Sequence, residues 1–241
     1  METQRKTLFV GRHGVKNGND IVPESLARLH AFGQTSLYDF VSQYSVTPEQ
    51  TFVRHSNEIR TLRTAKAITA GAFQIPLEFS TQGVDSLALP VKNILQSQSL
   101  CYPSNFKFNA EAIKQEGEAV YVTNWVNSPD AKEYKGVEVT PLKDILIQAR
   151  RGLENALRGS LREDMKLGIL ATHAGIVEAY AINAINSARE QVPVENISEI
   201  GGPFPMEKGF VIQIDKSQKS GTYNAKLIRD NQEYPIDLNN L

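Results

Sequence analysis

Thr7-Leu8-Phe9-Val10-Gly11-Arg12-His13-Gly14 decides the reading of this chain. A run with the character of a buried strand breaks off into a fixed cation, an imidazole and a glycine, as a strand does where it leaves a sheet. Gly11 and Gly14 flank the charged pair, and the expectation is that they let the backbone bend sharply and come close to a ligand. The pattern returns far downstream. Lys166-Leu167-Gly168-Ile169-Leu170-Ala171-Thr172 reads as a second strand ending in His173-Ala174-Gly175 ahead of a helix-like segment. Two strand-end histidines, one with an adjacent arginine, point to phosphoryl chemistry on imidazole.

The reason is charge. A phosphate monoester carries nearly two negative charges at neutral pH, so an attacking nucleophile is repelled unless cationic donors neutralise the oxygens. Arginine stays protonated and its planar fork matches pairs of phosphate oxygens. Neutral imidazole attacks well near pH 7, and a covalent intermediate on it splits one hard displacement into two easier ones. The dipeptide is not diagnostic by itself, because Thr51-Phe52-Val53-Arg54-His55 is another strand-like run ending in Arg-His. Context separates the two.

That context resembles the histidine phosphatase superfamily, the phosphoglycerate mutase-like fold. Arg12-His13-Gly14 followed by Asn19 is similar to its Arg-His-Gly signature with a trailing Asn. Ser56-Asn57-Glu58-Ile59-Arg60 with Thr64-Ala65 resembles its second motif, and His173-Ala174-Gly175 its third. Leu29 and Gly33 fit a weaker pattern before a helical stretch. The resemblance spans roughly residues 7 to 85 and 140 to 230, in the family's order. It implies that His13 is the nucleophile that becomes phosphohistidine, that Arg12, Arg60 and His173 clamp the phosphoryl oxygens, and that Asn19 donates a further hydrogen bond, with Gly14 and Ala174 beside the substrate. Ser56 as N-cap would put Arg60 in the first turn of a helix, where a cation opposes the dipole unless an anion binds there. The helix opening after Gly175 is expected to converge on the same phosphate. Arg54 and Arg63 are expected on solvated surface, and His55 at the pocket rim.

Hydrolysis also needs an acid to protonate the departing alkoxide. The resemblance implies a Glu shortly after the third strand. Ile75-Pro76-Leu77-Glu78-Phe79 reads as that strand, and counting forward gives Asp85, with Glu78 as the competitor in another register and Glu111 and Glu118 as remoter choices. Lys16 stands where the family usually carries Ser or Thr. Val84-Asp85-Ser86-Leu87-Ala88-Leu89-Pro90 replaces the Leu-x-Glu-Arg-x-Tyr-Gly stretch of true mutases, and a mutase must retain and reverse its product, whereas hydrolysis needs only water. The expected activity is therefore a metal-independent phosphomonoesterase on a small phosphorylated substrate. A phosphomutase and a catalytically silent phosphate-binding module are the alternatives.

Strand-like and helix-like stretches alternate as in a doubly wound sheet, where ligands gather at the carboxyl ends of strands. The fold expected is a three-layer α/β/α sandwich with a mostly parallel central sheet in one domain, 1–241, residues 86–139 forming a small cap insertion. Phe32, Leu37, Phe40, Val41 and Tyr44 fall near helical spacing. Thr140 as N-cap and Pro141 at the first position introduce a helix with Leu142, Ile145, Leu146, Ala149, Leu153, Ala156 and Leu157 on one face. Gly209 to Asp215 and Tyr223 to Ile228 read as a hairpin around Ser217-Gln218-Lys219-Ser220-Gly221.

At 241 residues, 41% hydrophobic and a formal charge of −1, the chain can bury a substantial core and has no electrostatic footprint for nucleic acid. No apolar run approaches a membrane span or a secretory core, and the single Cys101 rules out an internal disulfide, so the expected location is cytoplasmic. No cofactor is expected: Gly11 to Gly18 lacks the ending of a phosphate-binding Walker loop. No metal is expected either, since Arg12 and Arg60 would face a divalent ion across the same pocket.

Overall fold

The computed structural model describes residues 4–189, 193–217 and 221–241. A seven-stranded sheet organises the fold, built from β1 (Gln4–Arg12), β2 (Thr51–His55), β3 (Asn93–Gln96), β4 (Leu167–Thr172), β5 (Gly209–Lys216), β6 (Tyr223–Arg229) and β7 (Gln232–Ile236). Their spatial order is β7-β6-β5-β1-β4-β2-β3. The junctions β1–β4, β4–β2 and β2–β3 are parallel and those from β1 through β7 antiparallel, so five of the seven strands share one direction.

The alternation along β1 explains the layering. Leu8 and Val10 enter one apolar cluster and Phe9 the other, on opposite faces of the sheet. The Phe9 face is covered by α1 (Pro23–Phe32), α2 (Tyr38–Gln43) and α3 (Ile59–Ala72), through residues such as Leu26, Val41 and Ile68. The opposite face carries α7 (Leu142–Leu161) and α8 (Ile176–Asn186), and Ile145, Ala149, Leu153, Ala156 and Leu157 of α7 are all buried there. The chain is thus a three-layer α/β/α fold. Among the described residues no helix is long and apolar enough to cross a membrane.

Several local expectations are corrected. Residues 75–79 are not a strand: α3 ends at Ala72, and a short α4 (Thr81–Ser86) follows, capped by Ser80. The third parallel strand is instead β3, inside the stretch expected to be an insertion. Helix α7 begins at Leu142 with Pro141 at the N-cap, one residue later than expected, because the Thr140 hydroxyl accepts the Lys107 amide. The hairpin forms between β5 and β6 in the expected place, with Gln218, Lys219 and Ser220 of its turn outside the described residues, and β7 adds a strand that sequence reading missed. Residues 97–139 otherwise supply α5 (Ala110–Glu116), α6 (Glu118–Val126) and a small hairpin, Glu133–Tyr134 with Val137–Glu138.

Candidate active site

Register brings the two histidines together. Arg12 on β1 pairs with Thr172 on β4, and the His13 amide donates to the Thr172 carbonyl at 2.9 Å, so the residues following both strands emerge side by side. His55 on β2 pairs with Ala171, which places Ser56 at the same carboxyl end of the sheet. The rings of His13 and His173 lie 5.3 Å apart, edge to face, and Arg12, His13, Arg60 and His173 line one cavity of about 440 Å³.

Each imidazole is held by one edge. His13 Nδ1 lies 2.8 Å from the Gly14 carbonyl, so the tautomer with hydrogen on Nδ1 leaves Nε2 with a free lone pair. Burial pushes the His13 pKa down to about 4, with Arg60, Arg12 and Lys16 acting in the same direction against the Gly14 hydrogen bond. His173 Nε2 lies 2.7 Å from Ser56 Oγ, and Nδ1 is buried without a partner. Burial again, then the neighbouring His13 and the two arginines, holds its pKa down at about 2. Both rings are therefore neutral at neutral pH.

The arginines are only partly satisfied. Arg12 donates from Nη1 to the Phe204 carbonyl at 2.9 Å and from Nη2 to Glu118. Arg60 donates to Glu58 at 3.2 Å. Arg12 Nε, Arg60 Nε and His173 Nδ1 are the buried side-chain polar atoms without a partner among the described residues, and all three belong to side chains on this cavity. A buried donor without an acceptor costs roughly 1–3 kcal/mol. Three such side chains on one cavity, two of them cationic, suit an anion with several oxygens.

Behind Arg12 stands a residue that sequence reading passed over. Glu178 is fully buried in the first turn of α8; its carboxylate accepts the Gly175 amide and, at 2.8 Å, the Phe204 amide. Desolvation raises its pKa against the pull of those amides and of Arg12. It pins the loop whose Phe204 carbonyl holds Arg12. Gly175 itself has φ +78°, and a Cβ there would come within 2.5 Å of Trp125, so only glycine fits.

The structure separates the expected site residues. His13, Arg12, Arg60, His173 and Ala174 line the cavity; Gly14 acts through its carbonyl on His13, and a Cβ on it would come within 2.3 Å of Ser25 Oγ, so close packing rather than a bend requires this glycine. Asn19 does not reach the site. It is exposed in the turn between Lys16–Asn17 and Asp20–Ile21, whereas Lys16 of the same hairpin lines the cavity. Asp85 lies elsewhere, with both oxygens on Arg63, which also binds Asp20, and this pairing keeps its pKa below the usual carboxylate range. Arg63 is therefore a paired residue rather than a solvated one. Glu78 bonds Ser80 away from the cavity, and Glu111 bonds Gln115. The carboxylates that do line the cavity are Glu58 and Glu118.

Four smaller expectations are also redrawn. Helix α3 starts at Ile59 with Glu58 at the N-cap, which still leaves Arg60 in the first turn; Ser56 instead contacts His173. The Gly175 amide at the start of α8 is taken by Glu178 and is not free for phosphate. His55 is half-buried against the Ser56 carbonyl, off the cavity. Arg54 lies over the Phe52 ring in a separate depression.

Most of the rest of the cavity lining comes from residues 102–125, with Gly175 and Met206 completing it. Tyr102 stacks on His173 at 5.0 Å and on Phe106 at 4.2 Å, and Phe106 meets Trp125 edge to face. Among the described residues no three His, Cys, Asp or Glu side chains converge as a metal-binding group.

The fold, though not the site, can be compared with solved structures, and those it resembles include hydrolases and phosphatases. The chain is similar to mycobacterial hydrolase 2 over 98% of its length and 94% of that chain, at 11% identity and a TM-score of 0.57. It is similar to a mycobacterial glucosyl-3-phosphoglycerate phosphatase over 95% of its length and 98% of that chain, at 10% identity and a TM-score of 0.54. An Escherichia coli candidate alpha-ribazole-5'-P phosphatase matches over 94% of this chain and 97% of its own, at 14% identity and a TM-score of 0.51. No family model matches the chain, and no curated protein matches it in sequence.

Proposed function

We propose that the chain belongs to the histidine phosphatase superfamily and hydrolyses phosphate monoesters through a phosphohistidine on His13, without a metal ion. The observation that carries this reading is that Arg12, Arg60 and His173, the side chains with partnerless buried nitrogens, all line the cavity that holds His13, whose ring lies 5.3 Å from that of His173. A dianion gives all of them acceptors, and two guanidiniums beside the imidazoles favour it over a cation. Fold similarity to solved phosphatases supports the same reading.

The chemistry follows from the held edges. His13 Nε2 attacks phosphorus, forming the N–P bond as the P–O bond to the alkoxide breaks. Arg12, Arg60 and His173 Nδ1–H, the proton placed there when Ser56 donates to Nε2, share the equatorial oxygens. Glu118 supplies the leaving-group proton in place of Asp85. It projects from the segment that carries the apolar lining, whereas Glu58 is tied to Arg60 two residues away on the same turn. The phosphate displaces Glu118 from Arg12 and leaves its carboxyl beside the leaving oxygen. Water then attacks the phosphohistidine, returns its proton to Glu118, and releases inorganic phosphate. Residues 97–139 act as the cap.

Inorganic phosphate release from p-nitrophenyl phosphate tests this, comparing wild type with His13→Ala. We expect the variant to lose at least about 10⁴ in kcat and the wild type to yield an acid-labile phosphoenzyme in a rapid quench. Release that survives His13→Ala overturns the nucleophile. Transfer of phosphate between substrate positions without release indicates a mutase, and binding without turnover a silent module.

A further inference from the structure

We propose that the cavity selects phosphate esters of apolar alcohols or phenols, with an alkyl or aryl leaving group, over esters of sugars or hydroxy acids. This rests on the phosphatase reading and adds the substrate class. The cavity is divided chemically. Every charged side chain that lines it serves the phosphoryl end: Glu118 pairs with Arg12, Glu58 with Arg60, and Lys16 depresses the pKa of both histidines. The remainder is a wall of rings and aliphatic groups running from His173 through Tyr102 and Phe106 to Phe108 and Trp125.

Most polar handles of that wall are already engaged. The Tyr102 hydroxyl donates to the Ala174 carbonyl at 2.8 Å, Trp125 Nε1–H donates to the Thr140 carbonyl at 2.8 Å, and the Tyr121 hydroxyl accepts the Asn109 amide at 3.2 Å. A sugar's hydroxyls placed against it would lose water and find few partners, a penalty that a site built mostly from rings cannot offset. An apolar group loses nothing polar and gains contact. Phe108, at the far end of the ring series, is 50% exposed and lines the cavity, so it leaves apolar surface for a ligand to cover. At about 440 Å³ the cavity is in the range of small-molecule sites and much larger than a phosphate ion needs.

Primary alkyl phosphates from ethyl to octyl test the proposal, because their leaving alcohols have nearly the same acidity and differ only in apolar length. We expect kcat/KM to rise by up to about fourfold per methylene, so that hexyl phosphate exceeds ethyl phosphate by at least about 30-fold, while glucose 6-phosphate and 3-phosphoglycerate fall at or below ethyl phosphate. Phe108→Ala, at a half-exposed position that folding tolerates, flattens the rise. The matching alkylphosphonates, which cannot be hydrolysed, are titrated in parallel, and their Kd values should fall along the same series. Flat or falling series in both measurements, or a preference for the sugar ester, overturns the inference and leaves the phosphatase reading intact. Phosphonates that tighten with length while no ester releases phosphate overturn the phosphatase reading and keep the apolar site.

Discussion

The strand-end lining of the cavity and the lining drawn from residues 102–125 obey different constraints. Arg12, His13 and His173 stand where two parallel strands run out in register, so their spacing is fixed by the backbone hydrogen bonds of the sheet. Tyr102, Phe106, Phe108 and Trp125 are carried by loops and the short helix α6, and their positions are set by ring packing and by single hydrogen bonds to backbone carbonyls. The first lining is polar and carries the cations and imidazoles; the second is mostly apolar. A fold can keep its chemistry in the part the sheet makes rigid and change its leaving-group preference in the part that packing alone defines. If that division holds, substitutions in the strand-end lining lower turnover for every ester, and those in the ring wall alter the ranking of esters.

The largest expected effect outside the nucleophile is at Arg60. Removing one donor to developing charge typically costs 10²–10³ in rate; for Arg60→Ala we expect a loss of about 10³ in kcat/KM, uniform across ethyl, hexyl and aryl phosphates. Arg63→Ala, three residues on in the same helix, should stay within about threefold, because Arg63 is engaged by Asp20 and Asp85 away from the cavity. Equal losses at the two positions would show that Arg60 serves the helix rather than the phosphate.

Next in size is the acid. Glu118→Gln should lower kcat for alkyl phosphates by about 10² and barely change turnover of p-nitrophenyl phosphate, whose leaving group departs without a proton. Asp85→Asn should leave both substrates within about twofold. Glu118 is attached to the apolar side of the cavity yet bonds the strand-end Arg12, so it is the point at which the two linings meet. A uniform loss for both substrates would show that Glu118 only positions Arg12 and supplies no proton.

These pairs also show what local sequence carries. β1 and β4 are legible because strands buried on both faces read as continuous apolar runs, and their ends mark the histidines. The long α7 is legible from its one apolar face. Residues 75–79 mislead because Ile75, Leu77 and Phe79 alternate like a strand, yet Phe79 instead packs its ring against His30. The true edge strand, Asn93-Ile94-Leu95-Gln96, is four residues long and largely exposed, so it carries no burial signature. Misreading that strand led the count to Asp85. Glu118 meets Arg12 across 106 residues of chain, and Glu178 reaches the Phe204 loop across 26. No spacing rule encodes contacts of that kind; they follow from tertiary packing.

The smallest effect separates the two linings by proton linkage. His13 and His173 have folded-state pKa values of about 4 and about 2, both below the unfolded value near 6.5. Between about pH 6.5 and pH 4 the unfolded chain binds protons that the folded chain refuses, so stability is fully present above pH 6.5 and falls as the pH is lowered. Each histidine contributes a slope of at most about 1.4 kcal/mol per pH unit. His55, also depressed by burial, acts in the same direction. Glu178 opposes them, since its raised folded-state pKa makes the folded chain take up a proton at a higher pH than the unfolded one. Carboxylates held low by partners, such as Asp85 and Asp215, lose their contribution mainly below about pH 5. The ring wall contributes nothing in this window, because burial moves the Tyr102 hydroxyl upward and away from it. Urea denaturation at pH 7, 6 and 5 should therefore show a falling free energy of unfolding for wild type, the same slope for Phe108→Ala, and a shallower slope for His173→Asn. Flat stability across that range would mean that the imidazoles are hydrated in the free protein and that the strand-end lining is not the dry, preorganised site described here.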